Sequence, residues 1–79
     1  MQAIIYSKDM CPYCVRAKQL LEQKGIAYEE RVIGRGYTKE QLLEAVPNAR
    51  TVPQIFLDGM LVGGYDDLVK KFTSGVINE

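Results

Sequence analysis

Ala3-Ile4-Ile5-Tyr6, then Ser7 to Met10, then Cys11-Pro12-Tyr13-Cys14 running into Val15 to Lys24 form the stretch from which the architecture follows. The apolar run predicts a strand over about 2–6, Ser7 to Met10 a loop, and the residues after the first cysteine a helix over about 12–24. Cys14, Ala17 and Leu21 fall at i, i+3 and i+7, with Leu20 widening the stripe, which leaves Arg16, Gln19, Glu22 and Gln23 for solvent. Gly25 follows as a residue suited to end a helix. The only two cysteines thus stand one helical turn apart where a strand hands over to a helix, with Cys11 at the helix N-terminus. Backbone N–H groups are unpaired there and the helix dipole is positive, so a thiolate is favoured over a thiol. A thiolate is the species that attacks disulfides.

Plainer roles for the pair fit less well. A structural disulfide gains by closing a loop, and the chain-entropy expression gives only roughly 2 kcal/mol for about 4 residues, against about 3 for 15. A zinc site wants four ligands, and the chain has no histidine and no third cysteine. No metal is expected. Two inert buried thiols would not need Pro12, which suits a first helical turn.

Working outward, Tyr28, Glu30 and Val32 alternate with Glu29, Arg31 and Ile33 as a second strand. Strand, helix and strand at this spacing make a parallel pair with a right-handed crossover. Gly34-Arg35-Gly36-Tyr37 is a loop without the later glycine of a phosphate-binding fingerprint. Thr38-Lys39-Glu40-Gln41 fits a capping box and opens a short helix through about Val46, with Leu42, Leu43 and Val46 on its buried side. Gln54-Ile55-Phe56-Leu57 and Met60-Leu61-Val62 are strands joined by Asp58-Gly59, a two-residue hairpin signal. Gly63-Gly64 leads into a last helix with Tyr65, Leu68, Val69 and Phe72 at helical spacing. Ser74 to Glu79 is expected to fray. The order β-α-β-α-β-β-α predicts an α/β domain over 1–79 with one mixed four-stranded sheet and three helices on its faces.

Composition bounds the partners. The chain has 79 residues, room for one small domain. Ten basic and ten acidic side chains cancel, which removes the electrostatic case for nucleic acid or an anionic membrane. No apolar run approaches the roughly 20 residues of a membrane span. Met1-Gln2 leads straight into a strand, with no basic n-region or apolar h-region, so the expected compartment is a reducing cytoplasm. There a close cysteine pair is more often catalytic or metal-binding than structural.

Three motifs now coincide: Cys11-Pro12-Tyr13-Cys14, Thr51-Val52-Pro53 and Gly63-Gly64-Tyr65-Asp66-Asp67. In this order and spacing they resemble the dithiol glutaredoxins, and the chain is similar to a small glutaredoxin of bacterial or phage type from about residue 2 to about 73. The resemblance implies a thioredoxin-like fold and a glutathione-dependent thiol–disulfide oxidoreductase, with glutathione as reductant and co-substrate. It implies that Cys11 is the exposed nucleophile and Cys14 the resolving thiol. Lys8 would stabilise the thiolate or receive the glycine carboxylate of glutathione; the plainer reading is a solvated lysine. Tyr13 would wall the site, or else be a loop aromatic.

On sequence alone Val52–Pro53 reads as trans, since about 5–6% of such bonds in folded proteins are cis. The resemblance reverses this, because family members carry a cis proline facing the cysteines. Val52 would then pair its backbone with the cysteine of glutathione, flanked by Thr51 and Gln54. Gly64, with the N–H groups of Tyr65 and Asp66, would hold the γ-glutamyl carboxylate, and the Asp66 side chain its ammonium group. Asp67 would only cap the last helix. Arg35 would add a carboxylate contact or simply be solvated.

The implied partners are glutathione and disulfide-bearing or glutathionylated proteins, ribonucleotide reductase among them, acting on a monomer. Two departures stand out. Tyr65 occupies a position where several relatives have cysteine, and the last helix ends soon after Phe72.

Two other functions compete. In a glutathione-ligated [2Fe–2S] module, two copies would each give one thiolate. Stiff Pro12 beside the ligand argues against it. A thioredoxin-type protein reduced by a flavoenzyme would usually carry tryptophan before the first cysteine and Gly-Pro between the pair; this chain has no tryptophan and has Pro-Tyr.

Overall fold

A computed structural model describes residues 1–73; the tail expected to fray, 74–79, lies outside the described residues. The elements are β1 (Gln2–Lys8), α1 (Pro12–Gln23), β2 (Ala27–Ile33), α2 (Lys39–Ala45), β3 (Gln54–Leu57), β4 (Met60–Gly63) and α3 (Tyr65–Thr73). They form one four-stranded sheet in the order β2-β1-β3-β4. β1 runs parallel to β2 and antiparallel to β3, and β3 and β4 form the hairpin at Asp58-Gly59. Both turn residues have positive φ, 50° and 83°, as a turn matched to strand twist requires.

Local chemistry sets the helix ends. α1 stops in a Schellman arrangement: Gly25 at φ 70° donates to the Glu22 carbonyl, and Ile26 to that of Leu21. Ile26 is thereby delivered into the core at 8% exposure. α2 opens with both bonds of the expected capping box, Gln41 N–H to Thr38 Oγ1 at 3.1 Å and Thr38 N–H to Gln41 Oε1 at 2.7 Å.

The sheet separates two cores. Ala3 and Ile5 of β1 meet Ala17 and Leu21 of α1, Leu68 of α3, and Ile55 and Leu57 of β3. On the other face Tyr6 packs with Leu42 of α2 and with Val46, backed by Ile4, Ile33 and Phe56.

One expectation is corrected. Ser7 and Lys8 belong to β1, not to the loop, and Ser7 is fully buried. A buried hydroxyl is tolerable there because it donates to Glu30 Oε2 at 2.6 Å.

Candidate active site

Cys11 is the N-cap of α1, with extended backbone at φ −115° and ψ 101°, and Pro12 begins the helix. The Cys14 N–H donates to Cys11 Sγ at 3.2 Å, and the Val15 N–H donates to the Cys11 carbonyl at 3.2 Å. The first turn carries no acidic residue to oppose negative charge on that sulfur. The two cysteines are bonded as a disulfide with Cα atoms 5.2 Å apart.

The expectation of an exposed Cys11 holds only relative to its partner. Cys11 is 7% exposed and Cys14 1%. Val52 accounts for part of the cover, since its carbonyl oxygen stands 3.8 Å from Cys11 Sγ. Val52–Pro53 is cis, as the resemblance implied and contrary to the reading from sequence alone. Gln54 Nε2 donates to the Thr51 carbonyl at 2.9 Å and ties the same loop to the start of β3.

A groove of about 520 Å³ runs beside the pair, lined by Tyr13, Thr51 to Gln54 and Gly63 to Asp67. It gathers every candidate binding residue except Lys8 and Arg35. Lys8, at the end of β1, lines a second groove of about 240 Å³ that shares Thr51 and Val52 with the first.

The far wall is built by the turn before α3. Asp67 Oδ2 accepts from the Gly64 N–H at 3.3 Å, the capping role expected of it. Gly63 has φ 121°, and a side chain there would run into the Asp67 carboxylate, so glycine is needed twice over. Asp66 is exposed and forms no ion pair among the described residues. Arg35 does not join this site: its Nε bonds Asp9 Oδ2 at 2.9 Å, across an exposed pair.

Three features escaped the sequence reading. The rings of Tyr13 and Tyr65 lie 5.8 Å apart, and the Arg16 guanidinium sits 5.4 Å from the Tyr13 ring centre. Tyr65 also packs against the main core, which anchors the otherwise exposed Tyr13. Beneath α1, Lys18 Nζ joins Ser7 on the Glu30 carboxylate at 2.9 Å. The Ser7 hydroxyl first, and Lys18 second, hold that carboxyl below the usual range. Third, Lys39 and Arg50 join Lys8 in the second groove. Only Ser7 left a signal, since extending the alternation of Ala3 and Ile5 by two residues places it on the same face.

Among the described residues no group of three or more His, Cys, Asp or Glu gathers as a metal site, and no helix is long and apolar enough to cross a membrane.

The protein-family profile described as Glutaredoxin matches residues 3–62. Glutaredoxin 3 of Escherichia coli K12 is 45% identical over 64 residues, which span 81% of this chain and 77% of that one. The chain is 46% identical over 68 residues to hybrid peroxiredoxin hyPrx5 of Haemophilus influenzae, matching 86% of this chain but only 28% of that protein. Among solved structures, reduced Escherichia coli glutaredoxin superposes with a TM-score of 0.76 at 39% identity, over 96% of this chain and all (100%) of the other. A buckwheat glutaredoxin–glutathione complex superposes with a TM-score of 0.81 at 31% identity, over 92% of this chain and 69% of that one.

Proposed function

Because this chain belongs to the glutaredoxin family, we propose that it is a glutathione-dependent thiol–disulfide oxidoreductase, reducing protein disulfides and glutathione mixed disulfides through Cys11 and Cys14. The observation that carries this reading is the capped Cys11 sulfur, bonded to Cys14 and adjoining a groove large enough for a tripeptide.

In the reduced protein the Cys11 thiolate, favoured by the Cys14 N–H and the helix dipole, attacks one sulfur of the substrate disulfide. The other sulfur leaves as a thiolate and takes a proton from solvent. Cys14 then loses its proton and attacks Cys11 Sγ, which releases the second substrate thiol and forms the Cys11–Cys14 disulfide. This step is intramolecular, so it competes well with external thiol. Two glutathione thiols reduce that disulfide and become glutathione disulfide. When the substrate is a glutathione mixed disulfide, a second glutathione can resolve Cys11 without Cys14.

The groove supports a definite pose for glutathione. The Val52 backbone pairs with its cysteine, strand against strand. The N–H groups of Tyr65 and Asp66 receive the γ-glutamyl carboxylate at the start of α3, Gly64 leaving room for it to approach, and the Asp66 carboxylate meets the ammonium group. Tyr13 and Thr51 close the sides. Lys8 meets the glycine carboxylate from the neighbouring groove. Candidate oxidised partners are ribonucleotide reductase, from the resemblance, and a peroxiredoxin, from the similarity to part of a hybrid one.

The test is reduction of a small glutathione mixed disulfide, coupled through glutathione reductase to NADPH consumption. Turnover that survives Cys14→Ser and vanishes in Cys11→Ser is expected. A folded, reduced wild type without turnover would refute the proposal.

A further inference from the structure

The groove that holds Lys8 combines two chemistries. Ile33, Leu42, Leu43 and Val52 give it apolar walls, while Lys8, Lys39 and Arg50 bring three cations to it. All three cations are exposed, and none forms an ion pair among the described residues. The acidic residues of α2, Glu40 and Glu44, do not line it. Lys39 is also poorly placed for its own helix, since a cation in the first turn opposes the dipole.

Position gives this groove a direction. It meets the catalytic groove at Thr51 and Val52, and the Val52 carbonyl is 3.8 Å from Cys11 Sγ. A chain lying along Val52 and bonded to Cys11 therefore sends one end into each groove. On the function proposed above, the γ-glutamyl end of glutathione turns to Gly64 and Asp66. The residue after its cysteine then turns toward Lys8. Glutathione ends at that residue; a protein continues.

We propose that the second groove recognises the segment following the reacting cysteine of a protein substrate, and selects one that is acidic and carries a large apolar side chain. The apolar side chain lies against Leu42, Leu43 and Ile33, and the carboxylates face Lys39 and Arg50. A basic segment meets like charge. Exposed ion pairs are individually weak and screened by salt, so the selection amounts to several-fold at low ionic strength and fades as salt is added.

The test uses the full chain carrying Cys14→Ser, so that Cys11 mixed disulfides persist. The equilibrium read is Cys11–peptide disulfide plus glutathione thiol giving Cys11–glutathione disulfide plus peptide thiol, an exchange with no net oxidation. The probes are the blocked peptides Cys-Leu-Glu-Asp, Cys-Leu-Lys-Lys and Asp-Glu-Leu-Cys, with products separated by mass. The first is expected to be retained about 5- to 10-fold more than the other two, the size two exposed pairs supply. Molar salt should shrink that advantage, and Lys39→Glu or Arg50→Glu should abolish it. Lys39→Glu places an acid in a first helical turn, which the dipole favours, so the fold is retained. Equal retention of the three peptides by the parent chain would overturn the inference, as would an advantage unchanged in both charge reversals. If Cys11 forms no mixed disulfide with glutathione at all, the function proposed above fails first and this inference with it.

Discussion

On the α1–α3 face of the sheet, Ala3, Ile5, Ala17, Leu21, Ile55 and Leu68 have no exposure at all and only Leu57 and Ile26 keep 4% and 8%, whereas on the α2 face all of Tyr6, Leu42 and Val46 keep some, 5%, 6% and 6%. The first face is an aliphatic core. The second continues into Tyr37, Phe56 and Arg31, whose guanidinium lies 5.5 Å from the ring centres of both Tyr6 and Tyr37. Arg31 Nη1 also donates to the Tyr6 hydroxyl at 2.9 Å. The cysteine-bearing helix is mounted on the tighter face: within α1, Cys14, Ala17 and Leu21 are buried, while within α2 only Leu42 is. The sulfur position depends on a helix whose movement would expose a fully buried apolar core. The groove proposed for protein partners depends on a helix held more lightly. The proposed chemistry, which needs fixed geometry, and the proposed recognition, which tolerates adjustment, would then lie on opposite sides of one sheet.

The largest effect expected from this contrast is Leu21→Ala, at about 2–5 kcal/mol of stability by urea unfolding, because a fully buried leucine leaves a cavity its neighbours cannot fill. Leu42→Ala should cost less, about 2 kcal/mol, since its site borders an open groove and can relax. Equal losses would break the comparison of the two faces. Thr38→Ala removes one half of the α2 capping box and should cost about 1 kcal/mol. Its signature is faster amide exchange confined to α2, with α1 protection unchanged; a loss spread evenly over both helices would mean that α2 is not the lighter partner.

The smallest effect sharpens the picture beneath α1. Glu30→Gln should cost below about 1 kcal/mol at neutral pH, because its pair with Lys18 is partly exposed. The folded carboxyl is held below its ordinary value of 4.5 by Ser7 and Lys18. Its contribution is therefore complete above the unfolded pKa and is lost as pH falls through the depressed folded value. The gap between wild type and Glu30→Gln in urea midpoint should accordingly close in acid. A gap that widened as pH fell would reverse the sign of this assignment.

Much of the fold was legible because its signals are local. The Gly25 stop, the Thr38 capping box and the Asp58-Gly59 hairpin each follow from a few adjacent residues, and each appears in the structure. Ser7 was misread as loop because a hydroxyl looks like punctuation until Glu30, on a neighbouring strand, is available to accept its hydrogen bond. Tyr13 was a candidate through its place between the cysteines, and it lines the groove beside them. Its partner Tyr65, 52 positions later, could not be paired with it from spacing. Lys39 and Arg50 showed nothing in sequence beyond solvated charge, since only the crossing of α2 with the Thr51–Val52 loop brings them beside Lys8.

The element order, the helix ends and the placement of two thiols at a helix N-terminus could be read from neighbouring residues alone. These depend on backbone hydrogen bonds, dihedral preference and side-chain periodicity within a few residues. Tertiary structure alone decided the strand order β2-β1-β3-β4, the cover that Val52 places on Cys11, and the meeting of the two grooves at Thr51 and Val52. Those depend on packing between segments tens of residues apart, where the burial of one face selects the arrangement and no short window of sequence contains both partners.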